Sequence, residues 1–223
     1  MHPWMNRYLK HSDDFLSKNR PRMGTFYLHL CAVIAIFYKT QERHMKKTLK
    51  ILSIIFGVII LDLLTKGTLL YLITGGVPLS GSAWGLVPNP YLMAYVTNFF
   101  NIVFTWNFGT AFSLFNALGE YAPIVLVFMT GAIIGAILYF LFMRAKRFEI
   151  VPLSLIAGGA IGNLIDRVRF GAVIDFLDFH IGGYHWPAFN VADICIVAGV
   201  GLYILNWYIA RRKCMENIAK DGK

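Results

Sequence analysis

Apolar residues along the chain occur mainly in four long runs, which polar and basic clusters separate. The runs cover about residues 51–73, 121–143, 150–166 and 187–210. A run of about 23 residues forms a helix about 35 Å long, enough to cross a hydrocarbon core about 30 Å thick. The third run is shorter, so we expect its helix to continue past Asp166 or to cross a thinner part of the bilayer. The pattern predicts four transmembrane helices.

Basic residues at the ends of these runs predict the orientation of the helices. Clusters precede the first run, separate the second from the third and follow the fourth: Lys46, Lys47 and Lys50; Arg144, Lys146 and Arg147; Arg211, Arg212 and Lys213. With four crossings, all three clusters fall on one side, which the positive-inside rule assigns to the cytoplasm. Both termini are then cytoplasmic, and the connections 74–120 and 166–186 lie outside.

The composition excludes an ordinary soluble domain. Of the 223 residues, 57% are hydrophobic and only 15% are charged, whereas soluble domains have about 25% charged residues. The net charge of +9 could indicate nucleic-acid binding, but the basic residues follow the ends of the apolar runs rather than one exposed face. We therefore expect membrane lipid as a partner and no nucleic acid.

Two segments differ from the helical core, which we place in a domain at 45–215, followed by a tail at 216–223. Residues 74–120 include VTNFFNIVFTWNFGTAFSLF at 96–115, whose β-branched and aromatic residues predict a small twisted sheet on the outer membrane face. Residues 1–44 hold a charged opening and an apolar run of marginal length. We expect them to be a dispensable extension, because Met45 directly before two lysines resembles a natural start.

Several ionisable and amide residues lie in or beside the predicted helices, where each ionisable group costs about 2.5–3.5 kcal/mol on insertion scales. They are Asp62 and Lys66 in the first run, Asn163 and Arg167 at the end of the third, Asp175 in an outer loop, and Asn190 and Asp193 at the start of the fourth. The predicted topology brings all of them to the outer interface. This convergence from three helices and a loop indicates a functional site.

Two of these carboxylates, on Asp175 and Asp193, are candidates for a catalytic pair. Like charges about 3 Å apart cannot both ionise, so such a pair shares one proton. The ionised member can activate water while the protonated member polarises a peptide carbonyl. Asp193, near a helix start, is expected to ionise more readily. A single aspartate here could instead cap a helix or join an ion pair, which is our interpretation of Asp166 and of Asp178 in an exposed loop.

Four motifs, in this order, resemble those of the lipoprotein signal peptidase (signal peptidase II) family. They are NFGTAFS at 107–113, GNLIDR at 162–167, VIDF at 173–176 and FNVAD at 189–193. Asp62 and Lys66 match the first motif of the family, and the resemblance covers about residues 46–212. It implies an intramembrane aspartic endopeptidase of the bacterial cytoplasmic (inner) membrane, with its active site at the extracytoplasmic face. The enzyme would remove signal peptides from prolipoproteins by cleaving before the diacylglyceryl-modified cysteine.

The resemblance also implies roles for individual residues. Asp175 and Asp193 would be catalytic, while Asp62 and Lys66 would form a mainly structural pair. Residues that bind substrate or support the aspartates would be Asn107, Gly109, Asn163, Arg167 and Asn190. The family needs no metal or other cofactor, and its partners would be lipidated prolipoproteins, membrane lipid and the cyclic peptide inhibitor globomycin.

Three other functions fit parts of the pattern. A transporter or proton channel would carry acidic residues along a path through the bilayer, but the cytoplasmic half of each predicted helix has none. A metal-dependent hydrolase would use Asp175, Asp178, His180 and His185, but these residues lack a helical ligand spacing such as HExxH, and both histidines fall in a predicted loop. A non-catalytic membrane scaffold would keep its function when either candidate aspartate is replaced.

Overall fold

The computed structural model describes residues 21–74, 92–109 and 121–221. The elements are α1, Pro21–Thr74; β1, Leu92–Thr97; β2, Phe100–Asn107; α2, Ala122–Met143; α3, Ile150–Phe170; β3, Val173–Ile181; β4, Tyr184–His185; and α4, Val191–Asp221. Within the described residues, four helices are long and apolar enough to cross a membrane. The prediction of a helical membrane protein with a small sheet is confirmed.

The chain divides into two compact units, Met1–Leu49 and Lys50–Lys223. In the first unit, the described residues belong to α1, and the apolar side chains of Val33, Ile36 and Phe37 are exposed. Residues 1–20 lie outside the described part of the chain, and the interpretation of 1–44 as a dispensable extension stays a prediction. All the candidate site residues belong to the second unit.

Three of the four helices, α1, α3 and α4, extend beyond the apolar runs that predicted them. Helix α3 continues past Asp166 to Phe170, as expected, and ends at Gly171, whose φ of 76° is left-handed. Helix α4 begins at Val191, later than predicted, and continues to Asp221 through residues that we assigned to a tail. Arg212 and Glu216 form an exposed i,i+4 ion pair of 3.0 Å in that extension, a contact that supports helix where apolar packing ends.

Helix α3 packs closely against α1 and α4 because glycines line its surface. A Cβ at Gly158 would lie 2.9 Å from the side chain of Val58 on α1, and a Cβ at Gly159 would lie 2.4 Å from the carbonyl oxygen of Ala192 on α4. Close approach through small residues is typical of helices in lipid. Polar side chains at the end of α3 are thereby brought against both neighbouring helices.

The sheet has the antiparallel order β1-β2-β3-β4. The described strands of the 74–120 segment start at Leu92, before the predicted 96–115, and end at Asn107; residues 75–91 and 110–120 lie outside the described residues. The interpretation of 166–186 as a loop is wrong, because Val173–Ile181 forms β3 and pairs with β2. The sheet packs through Phe104 and Ile174 against Leu69 of α1, which places it at the end of α1 that carries Lys66.

Candidate active site

A buried ion-pair cluster joins α1 to α3 and α4. Lys66 Nζ on α1 lies 2.7 Å from Asp62 Oδ2 and 2.9 Å from Asp166 Oδ2 on α3, and all three side chains are buried. The backbone N–H of Ala192, at the start of α4, donates to Asp62 Oδ1 over 3.0 Å. The structure confirms the contact between Asp62 and Lys66 and adds Asp166 as the ion-pair partner in a different helix. This cluster fixes three helices beside the candidate aspartates.

Asn163 connects this cluster to Asp193. Its Oδ1 accepts a hydrogen bond of 3.1 Å from Lys66 Nζ, and its Nδ2 donates one of 2.8 Å to Asp193 Oδ1. The ammonium group of Lys66 can only donate, so the oxygen of the Asn163 amide must face Lys66 and the nitrogen must face Asp193. Asn163 therefore presents a donor to a carboxylate oxygen of Asp193.

Asn190 contacts both candidate aspartates. Its side-chain Nδ2 donates to Asp175 Oδ1 over 2.7 Å. Its backbone N–H donates to Asp193 Oδ2 over 3.2 Å, and its Oδ1 accepts from the backbone N–H of Asp193 over 2.9 Å. The last two bonds form a reciprocal cap at the start of α4. Asn190 thus caps α4 and links Asp175 to Asp193 at the same time.

Asp175 is a buried carboxylate on a strand. The side chain is 1% exposed, and Asn107 Nδ2 at the end of β2 donates to its Oδ2 over 2.9 Å. Gly109, whose φ is +76°, turns its N–H onto Asn107 Oδ1 over 2.9 Å. Burial and the nearby charge of Asp193 together raise the pKa of Asp175 to about 7, against hydrogen bonds from Asn107 and Asn190 that lower it. The expectation that Asp175 lies on a loop is wrong, since β3 holds it in place.

Arg167, in the last turn of α3, supplies a positive charge beside the two aspartates. The residue is half-buried, and its guanidinium interacts electrostatically with the carboxylates of Asp193 and Asp175. The structure thus brings together all the site residues named from the sequence, from Asp62 on α1 to Asp193 on α4.

Asp178 and the two histidines lie in the sheet, contrary to the predicted loop. Asp178 on β3 is buried, at 5% exposure, and His185 Nδ1 on β4 lies 2.9 Å from its Oδ1. Asn101 on β2, which the sequence interpretation did not single out, donates to Asp178 Oδ2 over 3.0 Å. Among the described residues, no group of three or more His, Cys, Asp or Glu side chains is arranged to hold a metal ion. The geometry therefore gives no support to the metal-dependent alternative.

The fold and this polar centre define a helical membrane protein with two carboxylates linked at the meeting point of three helices and a sheet. The family model described as "Signal peptidase (SPase) II" matches residues 54–209, a range that contains every candidate site residue. The chain belongs to the signal peptidase II family, and it is therefore a peptidase, a hydrolase.

Relatives and solved structures agree with this assignment. The lipoprotein signal peptidase of Rickettsia africae is 40% identical over 146 residues, which cover 63% of this chain and 72% of the relative. That of Rickettsia bellii is 37% identical over 174 residues, which cover 76% and 79%. A bacterial membrane enzyme solved by the in meso method at 1.9 Å resolution is 33% identical, with a TM-score of 0.51, over 70% of this chain and 90% of that one. The family resemblance of the motifs is confirmed.

Proposed function

We propose that this chain is an aspartic endopeptidase that removes signal peptides from diacylglyceryl-modified bacterial prolipoproteins by cleaving before the lipidated cysteine. The relatives named lipoprotein signal peptidase support the substrate. The observation that carries the aspartic mechanism is the pair of contacts made by Asn190, which hydrogen-bonds the carboxylates of both Asp175 and Asp193. One residue thereby holds both acidic groups in one site, Asp175 through its side-chain amide and Asp193 through its backbone N–H.

The different surroundings of the two aspartates suggest how they divide the chemistry. Asp175 is buried and its pKa is raised to about 7, so it keeps its proton and donates it to the carbonyl oxygen of the scissile peptide. Asp193 is half-buried at the start of α4, where the helix dipole favours an anion, and it accepts a proton from the attacking water. The tetrahedral intermediate then collapses as the proton on Asp193 passes to the leaving amine, while Asp175 recovers its own proton from the hydroxyl.

The proposed location is the bacterial inner membrane, with the active site at its outer face. The helix ends opposite the aspartates carry the basic residues: Ile51, next to Lys50, packs in one cluster with Ala145, next to Arg144, and Asn206 of α4 donates to the carbonyl of Phe148. Positive charge at this end supports a cytoplasmic assignment. A substrate with two acyl chains in the outer leaflet would then present its cleavage point at the level of the aspartates. We also propose membrane lipid and the cyclic peptide globomycin as partners of the protein.

A cleavage assay with matched substrates tests the proposed substrate class. The purified full-length protein in lipid vesicles should cleave a prolipoprotein peptide whose cysteine carries diacylglyceryl, and it should leave the same peptide with an unmodified cysteine intact. The reason is that the acyl chains hold the scissile bond at the membrane surface. Mass spectrometry identifies the cleaved bond. Equal cleavage of both peptides, or cleavage elsewhere than before the cysteine, would contradict the proposal.

The rate of cleavage is expected to fall as the pH rises through about 7, the raised pKa of Asp175. Below that pKa the buried carboxyl keeps the proton that it must donate, and above it both carboxylates are charged. A loss of about tenfold for each pH unit above the pKa follows if this single proton is required. Rates at saturating substrate between about pH 6 and about pH 9 measure it, and retained activity after return to pH 6 excludes irreversible unfolding. A rate that stays constant or rises from 7 to 9 would count against Asp175 as the proton donor.

A further inference from the structure

The stretch of chain between the two aspartates is a hairpin whose two arms are bonded along most of their length. Strand β3 leads away from Asp175, and β4 pairs with its end in the register His180 opposite His185. Beyond β4, the N–H of Trp186 donates to the carbonyl of Phe179 over 2.8 Å. Leu177 and Phe189 then exchange two backbone bonds, of 2.9 and 3.1 Å. The returning arm reaches Asn190, which bonds Asp175.

The side chains of Asp178 and His185 join the two arms of this hairpin. His185 Nδ1 lies 2.9 Å from both carboxylate oxygens of Asp178. Asn101 holds one of these oxygens from the other side, over 3.0 Å. The carboxylate is buried whereas the His185 side chain is 50% exposed. Burial raises the pKa of Asp178, but the hydrogen bonds from His185 and Asn101 outweigh this effect and bring the pKa below its ordinary value. The carboxylate is therefore ionised at neutral pH and needs both partners.

The position of Asp178 and His185 in the hairpin determines which other contacts would change if the contact between them were lost. Asp178 follows Asp175 by three residues on β3, and His185 precedes Asn190 by five on the returning arm. Because side chains alternate between the faces of a strand, a slip of one residue in the pairing would turn each side chain of the shifted arm to the opposite face. Such a slip would also displace Asn190, whose side chain donates to Asp175 over 2.7 Å in the observed register.

We propose that Asp178 and His185 are positioning residues for the peptidase reaction, because their contact fixes the register of the hairpin and so the placement of Asn190 against Asp175. This inference rests on the proposed aspartic mechanism. It assigns no contact with substrate to either residue. The inference also gives a role to the buried carboxylate of Asp178, which lies three residues from the proposed proton donor and takes no part in the chemistry.

A double-mutant cycle tests the inference with the full chain in lipid vesicles and a lipidated precursor. Asp178→Asn and His185→Leu should each lower kcat by about 10- to 100-fold, the effect of a small displacement of catalytic groups. KM should stay within about twofold, since neither residue binds substrate. The double variant should be no slower than the slower single variant, because both changes remove the same contact. Tyr184→Ala is the matched control, as this side chain in the same hairpin is 87% exposed, and its kcat should not change.

Two further variants separate positioning from general loss of fold and from failure of the mechanism. His185→Asn places an amide N–H near the position of the imidazole Nδ1, and it should restore kcat to within about threefold of the wild type. Asp175→Asn should be inactive whatever residue occupies position 185. Activity of an Asp175→Asn protein would contradict the aspartic mechanism rather than the positioning role of Asp178 and His185. The positioning role is overturned by a wild-type kcat in Asp178→Asn or His185→Leu, by additive losses in the double variant, by no rescue in a folded His185→Asn protein, or by losses that match the unfolded fraction.

Discussion

Asp175→Asn and Asp193→Asn are each expected to lower cleavage of a lipidated precursor by about 10³-fold or more. Asparagine has nearly the shape of aspartic acid, but it can neither donate the carboxyl proton of Asp175 nor act as the base that Asp193 supplies. The two residues share hydrogen bonds with Asn190, so the second substitution should add little to the first. Rates in vesicles measure the effect, and Glu216→Gln, a change in an exposed ion pair, is the control.

Asp175→Asn should lose activity because it lacks the carboxyl proton and not because it unfolds. The pH dependence of its unfolding temperature distinguishes these two causes. Because the folded state raises the pKa of Asp175 from 3.8 to about 7, ionising this group destabilises the folded protein as the pH rises through that window. The variant lacks this effect. Its unfolding temperature relative to the wild type should therefore increase between about pH 4 and about pH 7 and stay level above that. A folded Asp175→Asn or Asp193→Asn protein that cleaves at the normal rate would exclude the aspartic mechanism.

The sequence predicted the helices and the convergence of polar residues well, for a physical reason. An apolar run long enough to cross a bilayer has few structures open to it except a helix, and alternating crossings bring particular helix ends to one side. Asn163, at the end of α3, and Asn190, at the start of α4, could therefore be expected at one level, and the structure brings them into contact over 3.1 Å. The helix ends were less predictable, because local ion pairs extend α4 beyond the apolar run.

The strand that carries Asp175 could not be predicted in the same way. Its aspartates interrupt the apolar pattern, so VIDFLDFHI at 173–181 resembles a polar loop, and its stability depends on pairing with β2 far away in the chain. Asn107 and Asp175 are separated by 68 residues, and Asn101 and Asp178 by 77. A local periodicity of the sequence cannot predict contacts between residues so far apart in the chain. The structure buries Asn101 on the same face of β2 as Val103, and their spacing of two residues is consistent with an inward-facing asparagine but does not identify its partner.

The ion pair of Asp166 shows a similar limit. In the sequence Asp166 precedes Arg167, which made a local partner plausible, yet the partner in the structure is Lys66 on a different helix, at 2.9 Å. Residues adjacent along a helix point in different directions, so the arginine faces the candidate aspartates while the aspartate faces α1. Helix packing through glycines determines which residue pairs with Asp166. The angle of that packing depends on two helices together, so it cannot be predicted from the sequence of one apolar run.

Lys66→Met is expected to be the most destabilising single change in the site, by about 3–5 kcal/mol. It leaves two buried carboxylates, Asp62 and Asp166, without the ammonium group that lies 2.7 and 2.9 Å from them. It also removes the donor that orients Asn163, so cleavage by the fraction that remains folded should fall as well. Unfolding in detergent, followed by circular dichroism, measures the loss of stability.

The chain offers a matched control for Lys66→Met in the same helix. Lys46 and Glu42 form an ion pair with the same i,i+4 spacing, but the lysine side chain there is 72% exposed, against 2% for Lys66. Water already solvates those charges, so Lys46→Met should leave the unfolding temperature nearly unchanged. If the buried charges cause the loss, adding Asp62→Asn and Asp166→Asn to Lys66→Met should recover much of the stability, since no uncompensated carboxylate remains. A Lys66→Met protein as stable as Lys46→Met would show instead that the buried ion pairs of Lys66 contribute little to the stability of the helix contacts beneath the active site.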